Sequence, residues 1–357
     1  MKAVAVSRFR SVSSRTPPRL PLGAFRAYTP RMELLTTSAR DLERAAEAIR
    51  GGLLVAIPTE TVYGLGADAW NRVALARVFE AKRRPSFDPL IVHVAEPDGA
   101  SEVADVSVPY AKALSERFWP GPLTMVLPKV ERVPDLATSG LPTVAVRCPA
   151  NTVAREIIRR AGVPVAAPSA NPFGYLSPTR AEHVVAQLGD RVDFIVDGGR
   201  CPVGVESTVL DLSSDPPLVL RPGGLPIELI AEVVPGVQVF DRATTSPRAP
   251  GQLPSHYAPS RPLYLVPYGG VAGIEPRGRA AAICFGAESA RAAERHGHWS
   301  RIVDLSPSGD PVEAAAALFD ILHELDAAGF DELWAERLPD LGLGRAVNDR
   351  LYKASVK

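Results

Sequence analysis

Thirty-five of the 357 residues are proline, roughly twice the average share. Six of them, Pro235, Pro247, Pro250, Pro254, Pro259 and Pro262, fall within residues 235–262. Each proline fixes φ and removes a backbone donor, so this density forbids both helix and central strand. The segment reads as an extended linker, and the chain divides around it. The expected parts are an N-terminal extension (1–31), a large domain (32–236), a proline-rich linker or lid (237–261) and a smaller C-terminal domain (262–357).

The extension carries Lys2, Arg8, Arg10, Arg15, Arg19, Arg26 and Arg31 and no acid. Such a stretch has the composition of a transit peptide, but it also fits a disordered tail or a start codon placed upstream of Met32. A disordered extension is the reading adopted. Beyond it, 46% hydrophobic residues suffice for a sizeable core. Lys and Arg together number 40, as do Asp and Glu, which excludes a basic footprint over the whole surface but leaves room for a local basic cleft. Cys148, Cys201 and Cys284 lie far apart with no CxxC, against a zinc ribbon or a disulfide framework. No apolar run reaches the ~18 residues of a membrane span, and there is no signal-peptide core; a cytoplasmic location is expected.

The large domain alternates strand-like and helix-like segments. Residues 41–50 read as a helix capped by Ser38 or Asp41, 53–59 as a buried strand, and 71–84 as a helix capped by Asn71. Strands follow at 89–94, 123–128, 143–149, 163–170, 193–199 and 206–212, and helices at 108–119, 151–162 and 180–189. Gly64-Leu65-Gly66 reads as a turn after the first strand. The C-terminal part offers strands at 261–268, 279–286 and 300–306 and helices at 288–297, 312–329 and 344–354. The fold class expected is α/β: a mixed twisted sheet flanked by helices, plus a smaller Rossmann-like parallel domain.

No Walker loop, GxSxG, HxxxH or carboxylate cluster is present, so no nucleophile or protein-built metal site is designated. The candidates are cations, hydroxyls and amides. Lys82 continues the apolar spacing of Leu75, Val78 and Phe79, an uncomfortable place for an idle ammonium, and Arg84 follows it. Either they favour a helix C-terminus or they bind an anion. Arg147 and Arg221 stand where apolar strands meet turns, fitted to a carboxylate or phosphate, or simply to the surface. Ser169 and Asn171, two apart in an extended segment, either face one ligand or shape a turn before Pro172. Thr59, Glu60 and Thr61 end the first strand, while Ser207 and Thr208 open the strand at 206–212. His93 in its apolar strand reads first as a satisfied core residue; His183, His296, His298 and His323 read as surface residues. His256 and Tyr257 in the linker have no core to fill. This inventory suits chemistry done by positioning and charge neutralisation, such as nucleotidyl transfer.

Taken together, IPTETVYGLGADAW, KRRPSFDPLIVHV, FWPGPLTMVLP, TVAVRCP, APSANPFGYLSPTRAEHV, DGGRCPVGVESTVLDL and LRPGG resemble the threonylcarbamoyl-AMP synthase (YrdC/Sua5) family, in order, over roughly residues 34–228. SPRAPGQLPSHYAP and GLGRAVNDRLYKA are similar to the two-domain Sua5 form. The resemblance implies a nucleotidyltransferase making threonylcarbamoyl-AMP and pyrophosphate from L-threonine, bicarbonate and ATP, for threonylcarbamoyladenosine at tRNA position 37. It implies Lys82 and Arg84 as catalytic residues. Arg84, Asp88, Thr143, Ser169, Asn171, Ser177, Arg221, His256 and Tyr257 would contact ATP. Thr61, His93, Arg147, Ala167 and Ser207 would hold threonine, with Arg147 on its carboxylate. Magnesium would be held mainly by phosphates, and the product would pass to a tRNA threonylcarbamoyl transferase machinery, direct RNA contact being secondary. Asp88 departs from the family's usual Asn and would repel phosphate unless protonated or paired with Arg84. Gln252 departs from a frequent Met. The alternative implied by the same fold is a non-enzymatic module for double-stranded RNA. Carbamoyl transfer in hydrogenase maturation lacks the accessory domains it needs.

Overall fold

The structure is a computed structural model that describes residues 32–240 and 247–356. The extension expected at 1–31 and residues 241–246 of the linker lie outside the described residues. Among the described residues no helix is long and apolar enough to cross a membrane.

The large part builds one mixed sheet. Its strands are β1 (Glu33–Leu35), β2 (Val55–Ile57), β3 (Gly64–Asp68), β4 (Ile91–His93), β5 (Leu123–Pro128), β6 (Thr143–Arg147), β7 (Val165–Ala166), β8 (Phe194–Val196), β9 (Thr208–Asp211), β10 (Leu218–Arg221) and β11 (Gln238–Val239). They lie in the order β1-β8-β2-β3-β7-β4-β6-β5-β9-β10-β11. The helices are α1 (Ala39–Arg50), α2 (Arg72–Lys82), α3 (Ala111–Phe118), α4 (Asp135–Thr138), α5 (Thr152–Ala161), α6 (Ala181–Leu188) and α7 (Ile227–Ala231). Strand alternation explains why both sheet faces are covered. Ala56 joins one core with Leu65, Leu75 and Val92, while Val55 and Ile57 join another with Ile49 and Ile158.

Local signals set the helix ends. Ser38 Oγ accepts from Asp41 N (3.2 Å), so Ser38 rather than Asp41 caps α1. Asn71 and Asn151 cap α2 and α5 in the same way, and Gly162 ends α5 in the left-handed region at φ 65°. α2 ends on Arg83, also left-handed at φ 52°. That kink leaves Arg83 exposed and turns both Lys82 and Arg84 into the protein.

The Gly64-Leu65-Gly66 turn is corrected: these residues open β3. Glycine relieves crowding there: a Cβ on Gly66 would lie 3.0 Å from Val165 and 3.1 Å from the Val55 carbonyl, and one on Gly64 3.1 Å from the Ala167 Cβ. Close strand approach, not turn geometry, explains the pair.

The C-terminal part holds β12 (Leu263–Val266), β13 (Ala280–Cys284), β14 (Arg301–Asp304) and β15 (Glu332–Glu336), with α8 (Ala287–His296), α9 (Pro311–Ala327) and α10 (Gly344–Ser355). Its sheet runs β12-β15-β13-β14 and every pair is parallel. β15, central in this sheet, is missed by pattern reading because Glu332 and Glu336 flank its apolar residues. Glu336 is nevertheless fully buried, accepting from Val271 N, Phe285 N and Ser289 Oγ.

One hydrophobic cluster joins the two parts. Val62, Leu176, Val205 and Tyr257 pack with Leu318, Phe319 and Val347. Beside it the expectation of surface histidines is corrected for His183 on α6 and His323 on α9, which are half-buried and stacked at 3.8 Å. Thr179 N donates to His183 Nδ1 and His323 Nε2 faces the Ser177 carbonyl, so each ring is oriented by a neighbour.

Candidate active site

The sheet brings the chemistry to one edge of its strands. Register places His93 at the end of β4 beside Arg147 at the end of β6. A bridge between Gly64 and Ser169 fixes the loop after β7, and β10 ends on Arg221 opposite Val209. These segments and the linker enclose one cavity, to which Thr61, Arg84, His93, Arg147, Ala167, Ser169, Ser207, Arg221, His256 and Tyr257 all contribute.

Arg147 is only 3% exposed. Nη1 donates to Thr61 Oγ1 (2.8 Å), Nη2 to Glu60 Oε1 (2.6 Å) and Nε to the Gly121 carbonyl (3.2 Å). Burial pushes the Glu60 carboxyl up, but Arg147 and the Ala150 backbone N–H outweigh it and hold Glu60 below the usual carboxylate range. The guanidinium is thus fixed before any ligand arrives. Burial and the nearby Arg147 charge pull His93 down to about 3, so it stays neutral, and its Nδ1 has no partner among the described residues.

Arg84 is held by its own turn. Nε donates to the Asp88 carbonyl (3.0 Å), Nη2 donates to the Pro89 carbonyl (2.8 Å), and Nη2 lies 2.9 Å from Asp88 Oδ2. Asp88 therefore pairs with Arg84. Arg221 donates from Nε and Nη2 to the Ser207 carbonyl and from Nη1 to the Pro250 carbonyl (3.1 Å). A linker carbonyl here occupies a donor that an anion would use. Gly251 must be glycine, at φ 83°, because a Cβ would meet the Tyr257 hydroxyl at 2.6 Å. Gln252 accepts from Arg248 N and Ala249 N and so braces the linker turn. Tyr257, at φ 61° and almost fully buried, rests against His256 and Phe319.

Four expected residues stand one layer behind the cavity lining. Lys82 Nζ donates to the Ser169 and Asn171 carbonyls, holding the loop that presents Ser169. Burial and the neighbouring Arg84 push its ammonium well below the usual lysine range. Of the two readings of Ser169 and Asn171, the turn fits Asn171: its amide donates to the Pro172 and Tyr175 carbonyls, while Ser169 lines the cavity. Ser177 donates to Glu206, and Asp88 sits behind Arg84. Thr143 opens β6, opposite the Arg147 end and about 13 Å along the strand, and does not line the cavity.

Sequence reasoning missed two residues of this network. Glu206 lines the cavity, and Arg350, from α10, donates to its Oε2 (2.6 Å) and to the Pro222 carbonyl (3.0 Å). Burial raises the Glu206 carboxyl, but Arg350 and then Arg221 bring it below its ordinary value. The Arg350 guanidinium also lies 4.9 Å over the Tyr257 ring. The C-terminal part thus reaches the cavity wall through a buried cation of α10. Lys353 Nζ adds a bond to the Gly251 carbonyl (2.6 Å), anchoring the linker. The signal was faint: Arg350 reads as one charge among several on a helix.

A family model described as telomere recombination (Sua5/YciO/YrdC) matches residues 47–223, and one described as the threonylcarbamoyl-AMP synthase C-terminal domain matches 225–356. The threonylcarbamoyl-AMP synthase of Pyrococcus abyssi is 44% identical over 317 residues, covering 87% of this chain and 93% of that protein. That of Bacillus subtilis is 39% identical, covering 90% and 94%. The crystal structure of P. abyssi Sua5 complexed with L-threonine superposes with a TM-score of 0.82 at 39% identity, covering 91% of this chain and 97% of that one. This chain belongs to the Sua5/YciO/YrdC family, in the two-domain form that carries the Sua5 C-terminal domain.

Proposed function

We propose that the protein is a threonylcarbamoyl-AMP synthase, a nucleotidyltransferase that joins L-threonine, bicarbonate and ATP. The observation that carries this reading is the grouping of Arg147, Arg84 and Arg221 around one cavity with Ser169 and Ser207 between them. Likeness to relatives bearing that name, one of them crystallised with L-threonine, supports it.

Arg147, pre-oriented by Glu60 and Thr61, takes the threonine carboxylate as a planar fork takes a planar anion. Neutral His93, Ala167 and Ser207 complete the amino-acid end. The threonine amine adds to CO2 derived from bicarbonate and loses a proton, giving a carbamate. A carbamate oxygen attacks the α-phosphorus, and pyrophosphate leaves with the electrons of the broken P–O bond. Arg84, Arg221 and Ser169 neutralise charge on the phosphates, Lys82 fixes the Ser169 loop, and Asn171 and Ser177 support the same wall. Thr143 would meet only an outlying part of the nucleotide.

The cavity, partly open to solvent, measures about 40 Å³, far below the ~300 Å³ at the low end of ligand pockets. The linker segment with Pro250, Gly251, His256 and Tyr257 must therefore lift to admit ATP. Closing again excludes water from a hydrolysable adenylate. Among the described residues no group of three or more His, Cys, Asp or Glu could hold a metal. Asp88 and Glu206, the carboxylates nearest the phosphate side, face arginines. Magnesium, on this reading, would travel with the phosphates. A cytoplasmic setting, and delivery of the product to a transferase that modifies tRNA, follow from the same reading.

Incubation with threonine, labelled bicarbonate, ATP and magnesium should give threonine-dependent pyrophosphate and a labelled adenylate. Arg84→Ala should lower the rate by more than about 100-fold, the scale for a removed preorganised charge, and Lys82→Ala should lower it by a similar factor through the lost anchor of the loop that presents Ser169. Pyrophosphate release that ignores threonine would sink the reading.

A further inference from the structure

Asp88 is completely buried, yet neither carboxylate oxygen has a hydrogen-bond partner among the described residues. Its one ion-pair partner among the described residues is the Arg84 guanidinium, at 2.9 Å and outside good hydrogen-bond alignment. A buried carboxylate without donors keeps its charge only through neighbouring cations. Lys82, Arg84 and Arg221 are those neighbours, and burial already outweighs them, so the carboxyl sits above its ordinary range. The other titratable groups near these cations are His256, kept neutral by burial, and Tyr257 and Glu206 on the cavity wall.

Arg84 lines the cavity, and Asp88 stands directly behind it. A phosphate reaching Arg84 brings several negative charges against the same guanidinium. It competes with Asp88 for that cation and places its own charge close to an ion that has no hydrogen-bond donor and only the more distant Lys82 and Arg221 for further support. The least costly response is for the carboxylate to cease being an ion.

We propose that Asp88 takes up a proton when the nucleotide's phosphates engage Arg84, so that nucleotide binding in this protein is coupled to proton uptake. The inference rests on the nucleotide reading of the cavity. In the nucleotide-bound state Asp88 is a neutral acid behind Arg84, and the full guanidinium charge serves the phosphate. On release the proton returns to solvent and the ion pair re-forms. Asp88 acts through Arg84 and is a positioning residue.

Titration calorimetry with ATP in two buffers of different ionisation enthalpy, near about pH 7.5, reads the protons taken up per site. The γ-phosphate's own ionisation contributes to every variant alike, so the readout is the difference between the unmodified protein and Asp88→Asn. The expected difference is at least about half a proton, with ATP affinity rising as pH falls, by up to about tenfold per unit, in the unmodified protein more steeply than in the variant. Equal uptake in both proteins overturns the inference and leaves the enzyme reading standing. No ATP binding at all overturns the enzyme reading. Should Asp88→Asn fail to fold, infrared difference spectra of the unmodified protein, labelled with 13C at aspartate carboxyls, decide the matter. ATP should raise a label-shifted protonated-carboxyl band; absence of that band refutes the proposal. A merely structural Asp88 would move neither readout.

Discussion

Arg147→Ala should abolish threonine-dependent pyrophosphate release, by more than about 100-fold, and should also lower the melting temperature. Two separate effects are expected. The cavity loses the fork that receives the amino-acid carboxylate, and Glu60 is left as an unpaired charge in the interior. Breaking one side of a buried ion pair typically costs about 3–5 kcal/mol. The two effects separate in a double variant. Adding Glu60→Gln to Arg147→Ala removes the stranded charge, so thermal stability should largely return while turnover does not. If turnover returned together with stability, Arg147 would be a structural prop and not the threonine anchor.

The second large effect is expected from Arg350→Ala, although this residue lies in the C-terminal part of the chain. Arg350 is fully buried, bonded to Glu206 and stacked over Tyr257. Its loss strands Glu206 on the wall that would face the triphosphate, again at a cost of about 3–5 kcal/mol. It also removes the support beneath the closed linker. Turnover should drop by about 100-fold or more in the pyrophosphate assay, with a lowered melting temperature. Arg350→Ala combined with Glu206→Gln should regain stability and part of the activity. A variant with unchanged turnover would separate the C-terminal part from the chemistry.

These two residues mark where pattern reading runs out. At the meeting of an apolar strand and a turn, Arg147 could read as an anion holder or as a surface residue, and the structure buries it on the cavity wall. The Lys82–Arg84 pair was legible because an ammonium continued an apolar stripe. The Glu206–Arg350 pair was not, because its members are 144 residues apart and each alone looks like an ordinary surface charge. Only the packing of α10 against the cavity wall gives them meaning. β15 escaped for a related reason: its terminal glutamates read as solvent-facing, whereas Glu336 is satisfied by three donors from β15's neighbours. Gly64 and Gly66 looked like a turn because spacing cannot distinguish a need for positive φ from a need for room beside Ala167 and Val165. The proline-rich stretch stands out in the sequence, but its carbonyls' hold on Arg221 and Lys353 does not.

The most direct measurement is a crystal structure of the protein with L-threonine and an ATP analogue that resists cleavage between the α- and β-phosphates. The account predicts the amino-acid carboxylate on Arg147, the phosphates on Arg84 and Arg221, and the linker displaced or re-closed over both ligands in a single hollow. Threonine and nucleotide found in separate cavities, or phosphates that leave Arg84 and Arg221 untouched, would contradict it.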